Sequence, residues 1–209
     1  CCLIDPPDMV KNVMSRESIT KMLGAGLGGI DLARMPSYVV SKDSSTLGER
    51  VRENNLSYPL IGKPLAAAST RESHQLVVAL NEEGLKQFPN PCIAQSYENH
   101  GGRLFKVYVL GKNTVRVFAR DSLPNLPTSK DGYQFTKNFV AFDSQKRYPT
   151  LDDFGVGNVW EGGEENVWGG GEEKSTVTLS EVTPIANKLR EIFKLDLFGF
   201  DLLVTSEKR

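Results

Sequence analysis

Three charged side chains stand within or at the end of apolar, strand-like runs. Lys63 closes Leu60-Ile61-Gly62-Lys63-Pro64, Lys106 lies between Phe105 and Val107, and Asp201 follows Leu197-Phe198-Gly199-Phe200. An ionised group in such a setting is costly unless it is paired, solvated in a cleft, or bound to a metal ion or phosphate. Two lysines supply point charges for phosphate oxygens, and a carboxylate on a rigid strand is a hard ligand suited to Mg²⁺. Each has a plainer reading: Lys63 can simply end its strand, Lys106 can snorkel or guard a sheet edge, and Asp201 can cap a turn or pair with Arg190. Together they read as a site facing a phosphate-bearing ligand. No GxxxxGK[ST] occurs, which excludes the P-loop class but not nucleotide binding.

Both histidines are expected on turns near the sheet edge, His74 after a small polar loop and His100 before Gly101-Gly102. His74 is read as an anion or substrate contact, and His100 has no assigned role. No Cys or third His stands at ligand spacing, so a zinc site is not expected. Cys92 lies in an apolar run and reads as core rather than as a nucleophile.

The elements that must position these groups follow from the apolar pattern. Residues 5–23 open on Asp5-Pro6-Pro7-Asp8 and space Val10, Val13, Met14, Ile19, Met22 and Leu23 as one or two amphipathic helices. Gly24 to Gly29 formally spells GxGxxG, but no apolar strand precedes it, so a loop is expected rather than a dinucleotide site. Strands are expected over 36–40, 58–64, 75–80, 92–97, 104–110, 114–119 and 195–204. The pair 104–110 and 114–119 is joined by the hairpin turn Gly111-Lys112-Asn113. Helices are expected at 46–54 and 82–88, and from Thr183 as N-cap with Pro184 at the first helical position. Strands in pairs with a short helix between them argue for an α+β layer with a mostly antiparallel sheet.

Residues 121–182 look looser, and contain Asn158-Val159-Trp160-Glu161-Gly162-Gly163-Glu164-Glu165 followed at once by a second copy, 166–173, differing at one of eight positions. Glycine with glutamate cannot build a core, so a surface insertion is expected.

Bulk composition narrows the partners. The 209 residues carry a net charge of −1 from 25 basic and 26 acidic side chains, so no global field favours nucleic acid or an anionic membrane, and any anion site must be local. No apolar run reaches the roughly 18 residues of a membrane span, and no secretory signal is seen. Three cysteines, two of them adjacent, form neither a disulfide framework nor a CxxC pattern, so a cytoplasmic setting is expected. The first residue is Cys, which suggests a start inside a longer chain.

Several segments, in order, resemble one family. They are Tyr58-Pro59-Leu60-Ile61-Gly62-Lys63-Pro64-Leu65, Ser73-His74, Asn81-Glu82-Glu83-Gly84-Leu85, the run from Pro91 to Gly111, Arg120-Asp121-Ser122-Leu123-Pro124 and Leu197-Phe198-Gly199-Phe200-Asp201. Their order and spacing are similar to those of the inositol 1,3,4-trisphosphate 5/6-kinases, also called inositol-tetrakisphosphate 1-kinases, through most of residues 4–204. The resemblance implies an ATP-grasp fold, in which two α+β subdomains enclose the nucleotide, and an activity that moves the γ-phosphate of ATP to a hydroxyl of an inositol tris- or tetrakisphosphate with Mg²⁺. It implies Lys63 on the ATP phosphates, Gln95, Ser96, Tyr97 and Glu98 along the adenine, Lys106 between nucleotide and substrate, and His74 on the inositol phosphate. Arg16 looks like a nucleotide-contacting arginine, although the aspartate usual before it is Ser15 here. Ser122 and Ser144 resemble nucleotide-side serines, and Asp201 resembles the first magnesium ligand.

The same resemblance implies further metal ligands, an Asp-x-Asn, beyond residue 209 and an N-terminal domain before residue 1, so the 209-residue piece is expected to be weakly active or inactive. The implied division is 1–40 as the end of that domain with connecting helices, 41–110 as a central subdomain, and 111–209 as an incomplete C-terminal subdomain with the Gly/Glu-rich insertion at 150–182. A monomer is expected. Rival readings are an ATP-grasp carboxylate-amine ligase, which would also use Lys63 and Asp201, and a non-catalytic protein that binds nucleotide or inositol phosphate.

Overall fold

In the computed structural model, residues 3–27, 33–68, 70–128, 133–156 and 177–205 are described. Helices α1 (Pro7–Asn12) and α2 (Arg16–Gly26) lead into strand β1 (Tyr38–Ser41) and helix α3 (Leu47–Glu53). Strands β2 (Leu60–Pro64), β3 (Gln75–Ala79), β4 (Cys92–Ser96), β5 (Arg103–Leu110), β6 (Thr114–Asp121) and β7 (Phe139–Asp143) follow. Helix α4 (Leu179–Phe193) and strand β8 (Leu197–Leu203) complete the order, and 3-10 turns lie at Arg71–His74 and Glu82–Gln87.

These strands form two antiparallel sheets, one of five in the order β1-β4-β2-β3-β7 and one of three in the order β6-β5-β8. The expected α+β, antiparallel architecture is therefore present. The sheets are interleaved in sequence: β5 and β6 lie between β4 and β7, and the division expected after residue 110 falls at the turn joining β5 to β6, which share a sheet.

One face of the five-stranded sheet carries Val39, Leu60, Val77, Ala79, Cys92 and Ala94 and buries them against Leu47 and Val51 of α3 and against Leu85 and Phe88. Gly62 sits where this packing is tightest. A Cβ there would stand 2.5 Å from the Phe88 ring, so any side chain would have to push the ring away. At the β3–β7 end the opposite face buries Val78 and Phe142 with Leu126, Phe154 and the partly buried Ile61 and Tyr97. The three-stranded sheet buries Val107, Val109 and Val115 against Val182 and Ala186 of α4, while Ile185, Leu189 and Phe193 of α4 meet Val13, just past α1, and Ile19 and Leu23 of α2.

Four expectations change. The last helix starts at Leu179, not after Thr183, because Thr178 and Glu181 form a reciprocal capping box ahead of the apolar face that opens at Val182. Pro184 is inside the helix, where it withholds the N–H that would reach the Ser180 carbonyl. The glycine run is helical as far as Gly26; its continuation at 28–29 lies outside the described residues, as do both copies of the repeat. Residues 139–143, the short apolar run Phe139-Val140-Ala141-Phe142-Asp143, are an edge strand inside the stretch expected to be looser.

Candidate functional site

A cavity of about 810 Å³ opens where the two sheets meet α1, α2 and α4, within the range usual for small-molecule sites. Its polar residues include Arg16, Lys63, Gln95, Lys106 and Asp201, and its apolar wall includes Val13, Ile93 and Phe200. Sheet register explains the grouping. Lys63 pairs with Ile93, so Lys63, Ile93 and Gln95, two residues along, project from one face of β2 and β4. On the other sheet Lys106 stands directly opposite Asp201 across β5 and β8.

Lys63 donates to Gln95 Oε1 at 2.7 Å. Burial holds its ammonium down to a pKa of about 8, helped by the positive charge of Arg16 and opposed by Asp201. Arg16 is committed to the loop that follows Lys63: its guanidinium donates to the carbonyls of Pro64 (2.6 Å), Ala66 and Ser73 (3.0 Å). Burial lowers its pKa too. Backbone bonds from Arg16 N to the Leu65 carbonyl and from Ala67 N to the Met14 carbonyl extend this brace.

Lys106 behaves differently. It is 42% exposed and lies 3.4 Å from Asp201 Oδ1, whose side chain is 55% exposed. The edge-strand reading of Lys106 is corrected, because β5 is the central strand of its sheet. So is the pairing of Asp201 with Arg190, since Arg190 donates to Asp196 at 2.8 Å. A half-exposed ion pair contributes little net stability, so either partner can be exchanged for a ligand group at small cost.

The other expected residues lie outside this lining. His74 ends the 3-10 turn before β3 and meets Ser144 at the end of β7, with Nδ1 3.4 Å from Ser144 Oγ and the Gln145 amide 3.1 Å from Nε2. Ser96, Tyr97 and Glu98 run from β4 toward β5. Ser96 N donates to the Ser37 carbonyl at 2.8 Å, and Glu98 lies 3.9 Å from Arg34. The Tyr97 hydroxyl donates to the Pro124 carbonyl, and burial drives its pKa strongly upward. Ser122, just past β6, hydrogen-bonds to His100.

Three neighbours were not singled out for this site by sequence reasoning. His100 is 6% exposed rather than on an open turn. Gln145 gave no signal beyond its place next to Ser144. The Tyr148 hydroxyl is pushed above the usual tyrosine range, first by burial and then by the negative charge of Asp201, against the positive charge of Lys106. The packing of Tyr148 against Phe142, with rings 5.7 Å apart, depends on the edge strand β7.

Asp201 tests the expected metal. Lys106 engages one carboxylate oxygen, Oδ1, and the side chain is open to solvent, which suits an ion that keeps waters and takes one or two carboxylates besides phosphate oxygens. Among the described residues no cluster of three or more His, Cys, Asp or Glu side chains could hold an ion without such help. Nor is any described helix long and apolar enough to cross a membrane.

Residues 30–209 match the model of the inositol 1,3,4-trisphosphate 5/6-kinase ATP-grasp domain. Curated relatives include inositol-tetrakisphosphate 1-kinase 1 of Arabidopsis thaliana, 30% identical over 96% of this chain and 61% of the relative. The protein of the same name from Oryza sativa subsp. indica is 35% identical over 96% and 53%. The chain thus spans roughly half to three-fifths of the length of these relatives. Among solved structures, a macrocyclase from Microcystis aeruginosa bound with its precursor peptide superposes with a TM-score of 0.54 at 14% identity, covering 99% of this chain and 53% of that one. N5-carboxyaminoimidazole ribonucleotide synthetase from Thermotoga maritima gives 0.52 at 12%, covering 97% and 41%. At these identities the likeness concerns the fold alone.

Proposed function

Because the chain belongs to the inositol 1,3,4-trisphosphate 5/6-kinase family and has its ATP-grasp fold, we propose that it forms the nucleotide-holding part of an ATP-dependent inositol polyphosphate kinase. The observation that carries this reading is the convergence of Lys63 and Gln95 from one sheet with Lys106 and Asp201 from the other on a single cavity. Phosphoryl transfer asks little covalent chemistry of a protein. It asks for alignment of the attacking hydroxyl with the γ-phosphate and for charge placed where the transition state needs it.

In this reading the nucleotide lies between the sheets, and the two sheets are the two subdomains. Lys63, held by Gln95, contacts the ATP phosphates, and a polyphosphate drawn beside it keeps its ammonium protonated. Residues 95–98 follow the adenine, with Ser122 and Ser144 also on the nucleotide side, and Arg16 supports the site through the loop after Lys63. Lys106 leaves Asp201 for the transferring phosphate, Asp201 would hold Mg²⁺, and His74 with Gln145 meets a phosphate of the inositol ring. Magnesium would supply neutralisation of the phosphate charge.

The test is phosphate transfer from ATP to inositol tris- and tetrakisphosphates by the complete chain, alongside Lys106→Ala and Asp201→Asn. Transfer by the wild type and its loss in both variants supports the reading. Full activity in both variants removes these residues from the site, and nucleotide binding without transfer leaves a binding protein instead.

A further inference from the structure

The two sheets are joined by two chain segments that run side by side: 97–102 leads from β4 to β5, and 122–127 leads back from β6 toward β7. Side chains lace them together. Beyond the Tyr97 bond to Pro124, Asn99 donates from Nδ2 to the Leu126 carbonyl and accepts from Leu126 N, both at 2.9 Å, and Asn125 Oδ1 accepts from Gly101 N at 2.8 Å. Ser122 N donates to the Gly102 carbonyl at 2.8 Å. Gly101 and Gly102 both have positive φ, 65° and 66°, which only glycine adopts freely in succession.

His100 is the buried member of this lacing. Its Nδ1 is 2.6 Å from the Glu98 carbonyl and its Nε2 is 2.8 Å from Ser122 Oγ. A carbonyl can only accept, so Nδ1 carries the proton. In the neutral ring Nε2 is then an acceptor, and the single hydroxyl proton of Ser122 must point at it. Ser122 is left with lone pairs, and no proton, to offer a ligand.

We infer that His100 is a positioning residue that locks Ser122 as a hydrogen-bond acceptor, so that Ser122 recognises an O–H or N–H group of the nucleoside rather than a phosphate oxygen. The inference rests on Ser122 being on the nucleotide side. On ATP the matching donors are the ribose hydroxyls and the adenine amino group. Burial favours the neutral ring, lowering the His100 pKa against the opposing pull of the Glu98 carbonyl. The charged side chains along the two segments and adjoining strand ends are Glu98, with Arg34 beside it, and Arg103 and Asp121, which face each other in register. Acidification that protonates His100 would make Nε2 a donor and turn the Ser122 proton outward, reversing what the serine can bind.

The tautomer is read first, from histidine ¹⁵N spectra of the ligand-free protein. A protonated Nδ1 with bare Nε2 on His100 is expected, and Nε2–H at neutral pH overturns the lock whatever the nucleotide does. ADP binding by calorimetry then compares Ser122→Ala, His100→Leu and His100→Gln, the last of which keeps an acceptor near Nε2 but cannot titrate. Ser122→Ala and His100→Leu should weaken ADP by roughly three- to tenfold, the worth of about one hydrogen bond. His100→Gln should bind within about twofold of wild type and lose the wild type's change in affinity on acidification below the ordinary histidine range. In turnover, His100→Leu should raise KM for ATP with kcat little changed. With 2′-deoxy-ADP, 3′-deoxy-ADP or inosine diphosphate, the Ser122→Ala effect should vanish for the analogue lacking the recognised donor; persistence with all three overturns the choice of ligand group. Wild-type binding by His100→Leu beside a weakened Ser122→Ala overturns the inference, whereas unchanged binding by Ser122→Ala removes Ser122 from the nucleotide side.

Discussion

Lys63 and Lys106 approach the same cavity from opposite sheets and are held in opposite ways. Lys63 is desolvated, fixed to a neutral amide and crowded by Arg16, so its charge is weakened before any ligand arrives. Lys106 is half-exposed and loosely paired with a carboxylate. Burial without an anion costs an ammonium free energy that a bound phosphate would return, while a solvated ion pair can be traded at little cost. In the proposed reading one lysine is thus prepared to receive an anion, and the other to change partners.

The largest effect should come from Asp201→Asn. This variant removes the carboxylate from the exchangeable pair and should lower phosphate transfer by on the order of a hundredfold or more while leaving thermal stability nearly unchanged. Equal losses of transfer and folding would show the pair to be structural. Lys63→Met should come next. It should weaken ADP binding by roughly tenfold or more, and because the desolvated charge is gone it should not destabilise the ligand-free fold. A large drop in melting temperature would undo the contrast drawn between the lysines.

A pH series sharpens it. The Lys63 pKa is depressed to about 8, so its charge is present below that value and lost above it. Affinity for ADP should therefore fall as pH rises from about 7 to 9, with proton uptake on binding near the top of the range. In Lys63→Met this component should disappear, and calorimetry in two buffers of different ionisation enthalpy reads it. A smaller effect, confined to stability, is expected far from the cavity: Thr178→Ala, which breaks the capping box of α4, should cost about 1 kcal/mol in denaturant unfolding and leave ADP affinity alone.

The candidate site was legible wherever a charge interrupted an apolar strand. Lys63, Lys106 and Asp201 stood out because an unpaired ion in such a pattern demands a partner. The β5–β6 hairpin was legible from its glycine turn, and α3 from its periodicity. What escaped notice depended on neighbours distant in sequence. Strand β7 pairs with β3, Phe142 opposite Leu76 and Val140 opposite Val78, and its short apolar run does not say which strand it joins. His100 read as a turn residue because glycines follow it, yet Ser122, far along the chain, encloses it.

The sequence by itself determined the family, the antiparallel α+β character and which charged residues needed an explanation, since these depend on residue order and on the local cost of burying charge. Only the tertiary structure decided that Lys106 faces Asp201 and not a sheet edge, that Arg16 spends its guanidinium on three carbonyls, and which nitrogen of His100 holds the proton. The first two turn on contacts between groups tens of residues apart, fixed by how the chain packs rather than by any local pattern, and the last on the fold of the segment between the sheets, which brings the Glu98 carbonyl back to His100.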